Sequence, residues 1–303
     1  MYESADNLKL IKNKKNKTRV YNLFLGIGFL FLFAYYFLSA PLGNKDVIIH
    51  ISPNQSIDSV ALSLENKNAV RDDFILKIFI KLLKKGKGII QGDYLIKKRT
   101  PVWTVAWQIG RGHHNVELIK ITIREGLNNE EIANLLADKL SGFRKDLFLS
   151  NTISKQGYLF PDTYFFFPMD ESNEIIDKLS NNFKNKTKNI LNSIGNKNWA
   201  DIIIMASILE GEANGNEDIG IISGILWKRI SIGMPLQVDV DKNTYKTKGL
   251  PNKPLNNPGL SSINAAINPI DSSYLYYIHD KNGKVHYASN FDEHKKNINN
   301  YLK

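Results

Sequence analysis

The stretch "IIIMASILEGEAN", residues 202–214, decides how the second half of this chain folds. Its first eight residues are apolar or small, which predicts a helix that is buried on all sides. The run then ends in two acids, Glu210 and Glu212. Carboxylates are seldom buried without a partner, so two acids at this place need a reason.

Helical spacing puts Glu210 on an otherwise apolar face. The positions that precede it on that face are Ile203, Ala206 and Ser207. Glu212 lies two residues further on and points elsewhere, while Gly211 and Gly215 indicate that the helix ends nearby. A lone acid on such a face is typical of a general acid, and also of a structural ion pair with Arg229 or a lysine. Both interpretations stay open at this point.

The first forty residues carry a membrane signal. A basic segment, "KNKKNKTR" at 12–19, precedes 19 uncharged residues at 20–38, enough for a helix across the roughly 30 Å hydrocarbon layer. The positive-inside rule predicts that residues 1–19 are cytoplasmic, 20–40 form an anchor, and the rest lies outside a plasma (inner) membrane, in a periplasmic or extracellular position. A signal peptide cleaved near "LSAPLG" is the alternative.

Composition excludes several classes of function. The 303 residues contain no cysteine, which rules out disulfides, thiolate metal sites and cysteine nucleophiles. The net charge of +10 favours an anionic polymer or a membrane surface, or simply reflects a solvated surface. Neither a phosphate-binding loop nor a nucleic-acid motif is present, so we expect no nucleic-acid partner.

Two segments share a strand-turn-helix pattern. They are "IHISPNQSIDSVALSL" from residue 49 and "ITIREGLNNEEIANLL" from residue 121, with helix caps at Ser56 and Asn128. Glu131 completes a capping box with Asn128. A third strand and helix at 92–112 has Thr100 as its predicted cap and Pro101 at the first helical position. Three such units predict a small α+β module.

The chain changes character after residue 151. An aromatic stretch, "GYLFPDTYFFFP" at 157–168, precedes an amphipathic helix around 175–183, the buried helix described above and another helix at 218–232. The aromatic side chains of Tyr158, Phe160 and Tyr164 are expected in the core. Residues 233–259 are rich in Pro, Gly and Asn, which predicts a long loop.

Eight ordered blocks carry a resemblance to a known family. They are "GYLFPDTY" (157–164), "ASILEGEA" (206–213), "GMPLQVD" (233–239), "NTY" (243–245), "GLPNKPLNNPG" (249–259), "INAAINP" (263–269), "YLYYI" (274–278) and "HYASNFDEH" (286–294). In this order they resemble the endolytic murein transglycosylases, the YceG-like family. The resemblance covers most of residues 120–303.

The resemblance implies a fold and an activity. The expected fold is α+β: one N-terminal transmembrane helix, a small LysM-like module at 41–115, and a mixed α+β catalytic domain at 116–303. The expected activity is lytic cleavage between N-acetylmuramic acid and N-acetylglucosamine in nascent glycan strands, which leaves 1,6-anhydro ends. The implied partners are peptidoglycan strands and peptidoglycan synthases of elongation or division, with no cofactor or metal.

The resemblance also implies roles for particular residues. Glu210 stands at the position of the family's catalytic glutamate, which first protonates the leaving oxygen and then takes the proton of the attacking C6 hydroxyl. Substrate-binding positions in the same blocks are Glu212, Gln237, Asp239, Asn243 and Tyr245. These polar residues also suit a purely structural role in forming the loop.

Three departures from the family pattern leave alternatives. The segment between Asp239 and Asn243 is shorter than usual, Lys228 replaces a usual Asn, and Ala288 replaces a usual aromatic residue. A shortened loop is compatible with a catalytically weakened peptidoglycan-binding or division-scaffold protein.

A metal-dependent hydrolase is a second alternative. It rests on six histidine and acidic side chains near the end of the chain, His279, Asp280, His286, Asp292, Glu293 and His294. Their spacing fits no familiar zinc motif.

Overall fold

The computed structural model describes residues 5–83, 88–191, 194–195, 197–212 and 218–302. The fold is mixed α+β and mostly helical, with an apolar helix at the N-terminal end, which confirms the α+β part of the predicted fold class. The LysM-like module stays a prediction. The chain divides into two compact units, Met1–Glu117 and Leu118–Lys303.

The first helix, α1, spans Ala5–Leu38. Within it, Arg19–Leu38 is a 20-residue apolar segment with a mean hydropathy of 1.8, and none of it is buried inside the protein. This segment coincides with the predicted span at 20–38, although the helix itself begins earlier. Its length and composition suit a membrane anchor or a signal sequence.

The remainder of the first unit has a strand, two helices, a strand and a helix. These are β1 (Val47–Ile51), α2 (Ile57–Asn66), α3 (Asp73–Leu83), β2 (Gly92–Ile96) and α4 (Val102–Arg111). The two strands are antiparallel, with Ile49 opposite Tyr94. Apolar residues of both strands and all three helices form one buried core. The amphipathic helix α3 was not among the sequence predictions.

One of the two helix caps predicted in this unit is right. The Ser56 hydroxyl accepts a hydrogen bond from the Ser59 N–H at 3.1 Å, as predicted. The predicted cap at Thr100 is wrong by one residue, since α4 begins at Val102 and Pro101 is its N-cap. The Thr100 hydroxyl instead donates to the Lys97 carbonyl at 2.6 Å and closes the turn before the helix.

The second unit begins with a strand, two helices, a second strand and a third helix. They are β3 (Ile119–Thr122), α5 (Asn129–Ala137), α6 (Lys145–Asn151), β4 (Thr163–Phe166) and α7 (Ser172–Leu191). Strands β3 and β4 are antiparallel, and the predicted capping box of Asn128 and Glu131 is present at α5. Because β3 pairs with β4, the strand-turn-helix segment that begins at residue 121 belongs to this second unit. The predicted module of three such segments is therefore wrong as one compact body.

The rest of the second unit is built around one buried helix. Its elements are α8 (Trp199–Glu212), α9 (Ile219–Ser231), α10 (Leu260–Ile267), β5 (Tyr276–His279), β6 (Val285–Ala288) and α11 (Phe291–Tyr301). All eight residues 202–209 of α8 are buried, as predicted, and α9 and α10 pack against them. The predicted core residues Phe160 and Tyr164 are buried, and Tyr158 is half-buried. Residues 233–259 form an irregular loop with a 3₁₀ turn at Lys242–Tyr245.

Candidate active site

Glu210 lies where the buried helix α8 reaches the surface of the second unit. The preceding residues of its face are buried, and Glu210 itself is half-buried. The helix ends at Glu212, close to the predicted end, whereas Gly215 lies outside the described residues. A glutamate at this place has its stem in the core and its carboxyl group accessible.

The Glu210 carboxylate is held at the first residues of α10. Its Oε2 accepts hydrogen bonds from the Gly259 N–H at 2.8 Å and from the Ser262 hydroxyl at 2.7 Å. The N-terminus of a helix favours a negative charge, because its free N–H groups and the helix dipole both point toward the anion. One carboxylate oxygen is therefore fixed by the protein.

The alternative interpretation of Glu210, as the partner of Arg229 or a lysine in a structural ion pair, is contradicted within the described residues. Arg229 is buried, and its guanidinium group donates to the carbonyl oxygens of Leu275, at 2.7 Å, and of Leu236. Among the residues that the structure describes, no ion pair involves Glu210. Arg229 instead joins α9 to the loop that follows it and to the residue just before β5.

Asn257 fixes the loop that leads into α10. Its Oδ1 accepts hydrogen bonds from the backbone N–H groups of Gly157 and Leu159, at 2.9 and 3.0 Å. Its Nδ2 donates to the Leu127 carbonyl at 3.0 Å and to the Asn129 Oδ1 at 2.9 Å. A buried amide with all four side-chain bonds made is rigid, so it sets the position of Gly259 two residues later.

A second acid, Glu125, lies against the same place. It follows β3, is exposed, and its carboxylate occupies the space beside Gly259 that a β-carbon would need. Desolvation raises the pKa of the Glu125 carboxyl, and the negative charge of Glu210 raises it further. The two carboxyl groups therefore interact electrostatically.

Glu212 faces a different set of partners from Glu210, as predicted. Its Oε1 accepts from the Val240 N–H at 3.2 Å, and its Oε2 accepts from the Tyr277 hydroxyl at 3.1 Å. Burial raises the pKa of Tyr277 well above its usual value, and the charge of Glu212 adds to this effect. Both Glu212 oxygens are thus used to connect the end of α8 to the loop and to β5.

The remaining predicted binding residues all lie on the loop at 235–248, which is closed by its own hydrogen bonds. The Gln237 N–H donates to the Thr244 carbonyl at 3.1 Å, and the Tyr245 hydroxyl donates to Asp239 Oδ1 at 2.9 Å. Burial and then the bond to Asp239 raise the pKa of Tyr245 to about 12. Gln237, Asp239, Asn243 and Tyr245 are exposed, so the structure brings the four together on one accessible loop.

The histidines near the end of the chain do not converge. His286 Nε2 lies 2.9 Å from Asp280 Oδ2, and its ring stacks on Tyr301. His294 stacks on Tyr276. Among residues 218–302, these histidines form no shared group of metal ligands with the neighbouring acids.

Sequence reasoning missed the groups that surround Glu210. Gly259 and Asn257 lie in a family-like block but were assigned no role, and Ser262 stands one residue before another such block. Glu125 appeared only as part of a repeated strand-turn-helix pattern. The available signal for Glu125 was its place directly before Gly126 and shortly after a strand. That order is typical of a turn that presents a side chain.

The family model described as the YceG-like family matches residues 49–241 and 241–300. This chain belongs to the YceG-like family. The match covers most of both compact units and includes Glu210, Gly259 and Ser262.

Two relatives of this YceG-like chain are named endolytic murein transglycosylase. It is 27% identical over 307 residues to the endolytic murein transglycosylase of Bacillus subtilis (strain 168), covering 84% of this chain and 85% of the relative. It is 23% identical to the endolytic murein transglycosylase of Streptococcus pneumoniae (strain D39 / NCTC 7466), again over 84% of this chain but only 58% of the relative.

A solved structure shares the fold. The 2.6 Å crystal structure of a YceG-like protein from Listeria monocytogenes matches with a TM-score of 0.51 at 24% identity. The match covers 84% of this chain and 99% of the Listeria chain.

Proposed function

We propose that this chain is an endolytic peptidoglycan lytic transglycosylase that cleaves the bond between N-acetylmuramic acid and N-acetylglucosamine in nascent strands and leaves 1,6-anhydro ends. The observation that carries the proposal is the Glu210 carboxyl group, fixed at the start of α10 by Gly259 and Ser262. Membership of the YceG-like family and the names of two relatives support it.

Glu210 performs both proton transfers in this proposal. Its Oε2 is occupied, while Oε1 has no hydrogen bond within the described part of the chain, so the proton moves on Oε1. The protonated acid gives its proton to the leaving oxygen as the C1–O bond breaks. The resulting carboxylate takes the proton of the C6 hydroxyl as that oxygen attacks C1. The product ring closes without water, so the reaction needs a site from which water is excluded.

The loop at 235–248 supplies substrate contacts in this proposal. The side chains of Gln237 and Asn243 are exposed, and the structure records no hydrogen bond to either among the described residues, which suits contact with sugar hydroxyl or acetamido groups. Glu212, Asp239 and Tyr245 hold the loop through their own hydrogen bonds and present it to the glycan.

We further propose the organisation predicted from the sequence: a cytoplasmic segment at 1–19, an anchor at 20–40, a LysM-like module at 41–115 and the catalytic domain at 116–303. The strand-helix-helix-strand order of β1, α2, α3 and β2 supports a LysM-like module. An intact mass of 34.5 kDa for the chain extracted from membranes would support the anchor. A mass lower than this by the mass of about 40 residues would instead indicate a cleaved signal sequence.

The test of the activity uses the full-length protein in detergent with uncrosslinked glycan strands. We expect the native chain to release fragments with anhydro ends, identified by mass spectrometry, and Glu210→Gln to release none. Asp201→Asn, at the other end of α8, is the matched control and should keep full activity.

Two other outcomes would contradict the proposal. Fragments with hydrated reducing ends would indicate a hydrolase, which normally needs a second carboxyl group for water or as nucleophile. Binding of strands without cleavage would favour the peptidoglycan-binding scaffold, with the shortened segment between Asp239 and Asn243 as the cause.

A further inference from the structure

The turn after β3 is packed directly onto Glu210. Gly126 has a left-handed backbone with φ of 80°, and a β-carbon there would lie 3.6 Å from Glu210 Cγ. Its N–H donates to the Asn257 carbonyl at 3.1 Å, which ties the turn to the loop before α10. Glu125, the residue before this glycine, is thereby held beside the Glu210 side chain.

The Glu125 carboxylate lies next to the backbone that binds Glu210. Gly259 has φ of −78°, which any residue adopts, so the backbone conformation does not require a glycine there. A side chain at this position would instead collide with the Glu125 carboxylate, which is the nearest group. The N–H of the same Gly259 donates to Glu210 Oε2. The backbone of Gly259 and the hydrogen bond from its N–H to Glu210 Oε2 separate the two carboxylates. The carboxylates therefore lie within about 7 Å of each other.

Glu125 has no evident structural use. The structure gives it neither a hydrogen bond nor an ion pair among the described residues. The nearby Glu131, in contrast, completes the capping box of α5, and Glu212 makes two hydrogen bonds. An exposed carboxylate that is positioned by a rigid turn and left unpaired beside an acid is arranged to meet a ligand.

We propose that Glu125 is a second catalytic carboxylate, which faces the anomeric carbon of the bound muramic acid residue and stabilises the positive charge that develops there. This inference rests on the proposed function of Glu210. As the C1–O bond breaks, its electron pair goes to the leaving oxygen, which takes the proton of Glu210. The positive charge shared by C1 and the ring oxygen faces Glu125. The C6 oxygen then bonds to C1 and gives its proton to Glu210, while Glu125 is unchanged.

The electrostatic reason is the preorganisation of charge. A carboxylate that is already in place stabilises a developing cation at no further cost of reorientation, and the effect is greatest once the glycan has displaced water. Glu210, whose Oε2 is fixed at α10, transfers the proton. Glu125, which is left unpaired, stabilises the developing charge.

The first test compares variants of the full-length protein in detergent on uncrosslinked glycan strands. We expect Glu125→Gln to lower kcat by about 100-fold or more. Strand binding, measured in the inactive Glu210→Gln background, should change less than about twofold when Glu125→Gln is added. Glu130→Gln removes an exposed acid close by in the chain, whose side chain is 72% exposed, and should leave kcat unchanged.

A second test moves the Glu125 carboxylate without removing it. Gly259→Ala keeps the N–H that binds Glu210 but forces the Glu125 carboxylate aside, and we expect kcat to fall by about tenfold or more. Combined with Glu125→Ala, the same substitution should cause no further loss, because nothing remains to be displaced. This cycle decides the question even where Glu125→Gln fails to fold.

The outcomes separate this inference from the proposed function. A native chain that makes no anhydro ends contradicts the proposed function. If the native chain makes anhydro ends and Glu125→Gln keeps more than half of the native kcat, only the role of Glu125 is overturned. The same holds if Glu125→Gln weakens strand binding and kcat by equal factors. Independent losses from Gly259→Ala and Glu125→Ala would overturn it as well.

Discussion

The asparagine that fixes the loop before α10 offers a quantitative test of how the site is held. Asn257→Ala leaves the buried N–H groups of Gly157 and Leu159 without an acceptor. The Leu127 carbonyl keeps the hydrogen bond from the Asn257 backbone N–H. Asn129 Oδ1, also buried, loses the donor that Asn257 Nδ2 supplied. A buried unsatisfied group costs about 1–3 kcal/mol, so these three groups predict a loss of about 3–9 kcal/mol in the free energy of unfolding.

The neighbouring residue provides a matched control. Asn256 is also buried, yet its side chain makes one hydrogen bond, from Nδ2 to the Ser207 carbonyl at 2.8 Å, and its Oδ1 has no partner among the described residues. Asn256→Ala removes that unsatisfied oxygen together with one bond. We therefore expect a cost of about 1 kcal/mol or less.

Urea unfolding followed by tryptophan fluorescence measures both variants. Two of the four tryptophans, Trp103 and Trp107, lie in the first unit and are exposed, so both can be replaced by Phe. Trp199 and Trp227 then report on the second unit alone. Linear extrapolation gives the free energies. Equal costs for Asn256→Ala and Asn257→Ala, within about 0.5 kcal/mol, would refute the reasoning.

Three further substitutions test other contacts. Ser262→Ala removes one donor from Glu210 Oε2, and we expect kcat on glycan strands to fall by about 10- to 100-fold; unchanged kcat would contradict the role of this bond. Tyr277 has a raised pKa, so its contribution to stability is complete below pH about 10 and is lost at higher pH; Tyr277→Phe should flatten the fall of unfolding free energy above pH about 10. Gln237 has a left-handed φ of 52°, so Gln237→Gly should raise stability by up to about 1 kcal/mol while raising KM.

Local sequence patterns predicted the helix that carries Glu210 and two of the helix caps elsewhere in the chain, but not α10, whose first residues hold the Glu210 carboxylate. The apolar run at 202–209 predicts a fully buried helix because no polar face interrupts it, and the caps at Ser56 and Asn128 follow from side-chain chemistry within one turn. These features depend on contacts between residues close in the chain. A local contact also explains the error at Thr100. Its hydroxyl can either cap the helix or bond to the Lys97 carbonyl three residues earlier, and the second bond forms.

The surroundings of Glu210 were beyond such patterns. Gly259 and Ser262 reach Glu210 across 49 and 52 residues, and Glu125 reaches the same place through the pairing of β3 with β4. Nothing in the spacing of these residues indicates that they meet. Of the four residues that meet here, the resemblance to the YceG-like family assigned a role to Glu210 alone, because the motif that carries it is continuous.

The bond between Asn257 and Leu127 joins residues 130 positions apart, which has a consequence for biosynthesis. Translation proceeds from the N-terminus, so a nascent chain that ends after α8 contains Glu210 but neither Gly259 nor Ser262. Closing so long a segment is slow relative to the formation of local helices. A ribosome-bound chain therefore has no assembled candidate site until residues up to about 262 have emerged. Glu210 is thus without its Gly259 and Ser262 partners for most of the synthesis of the chain.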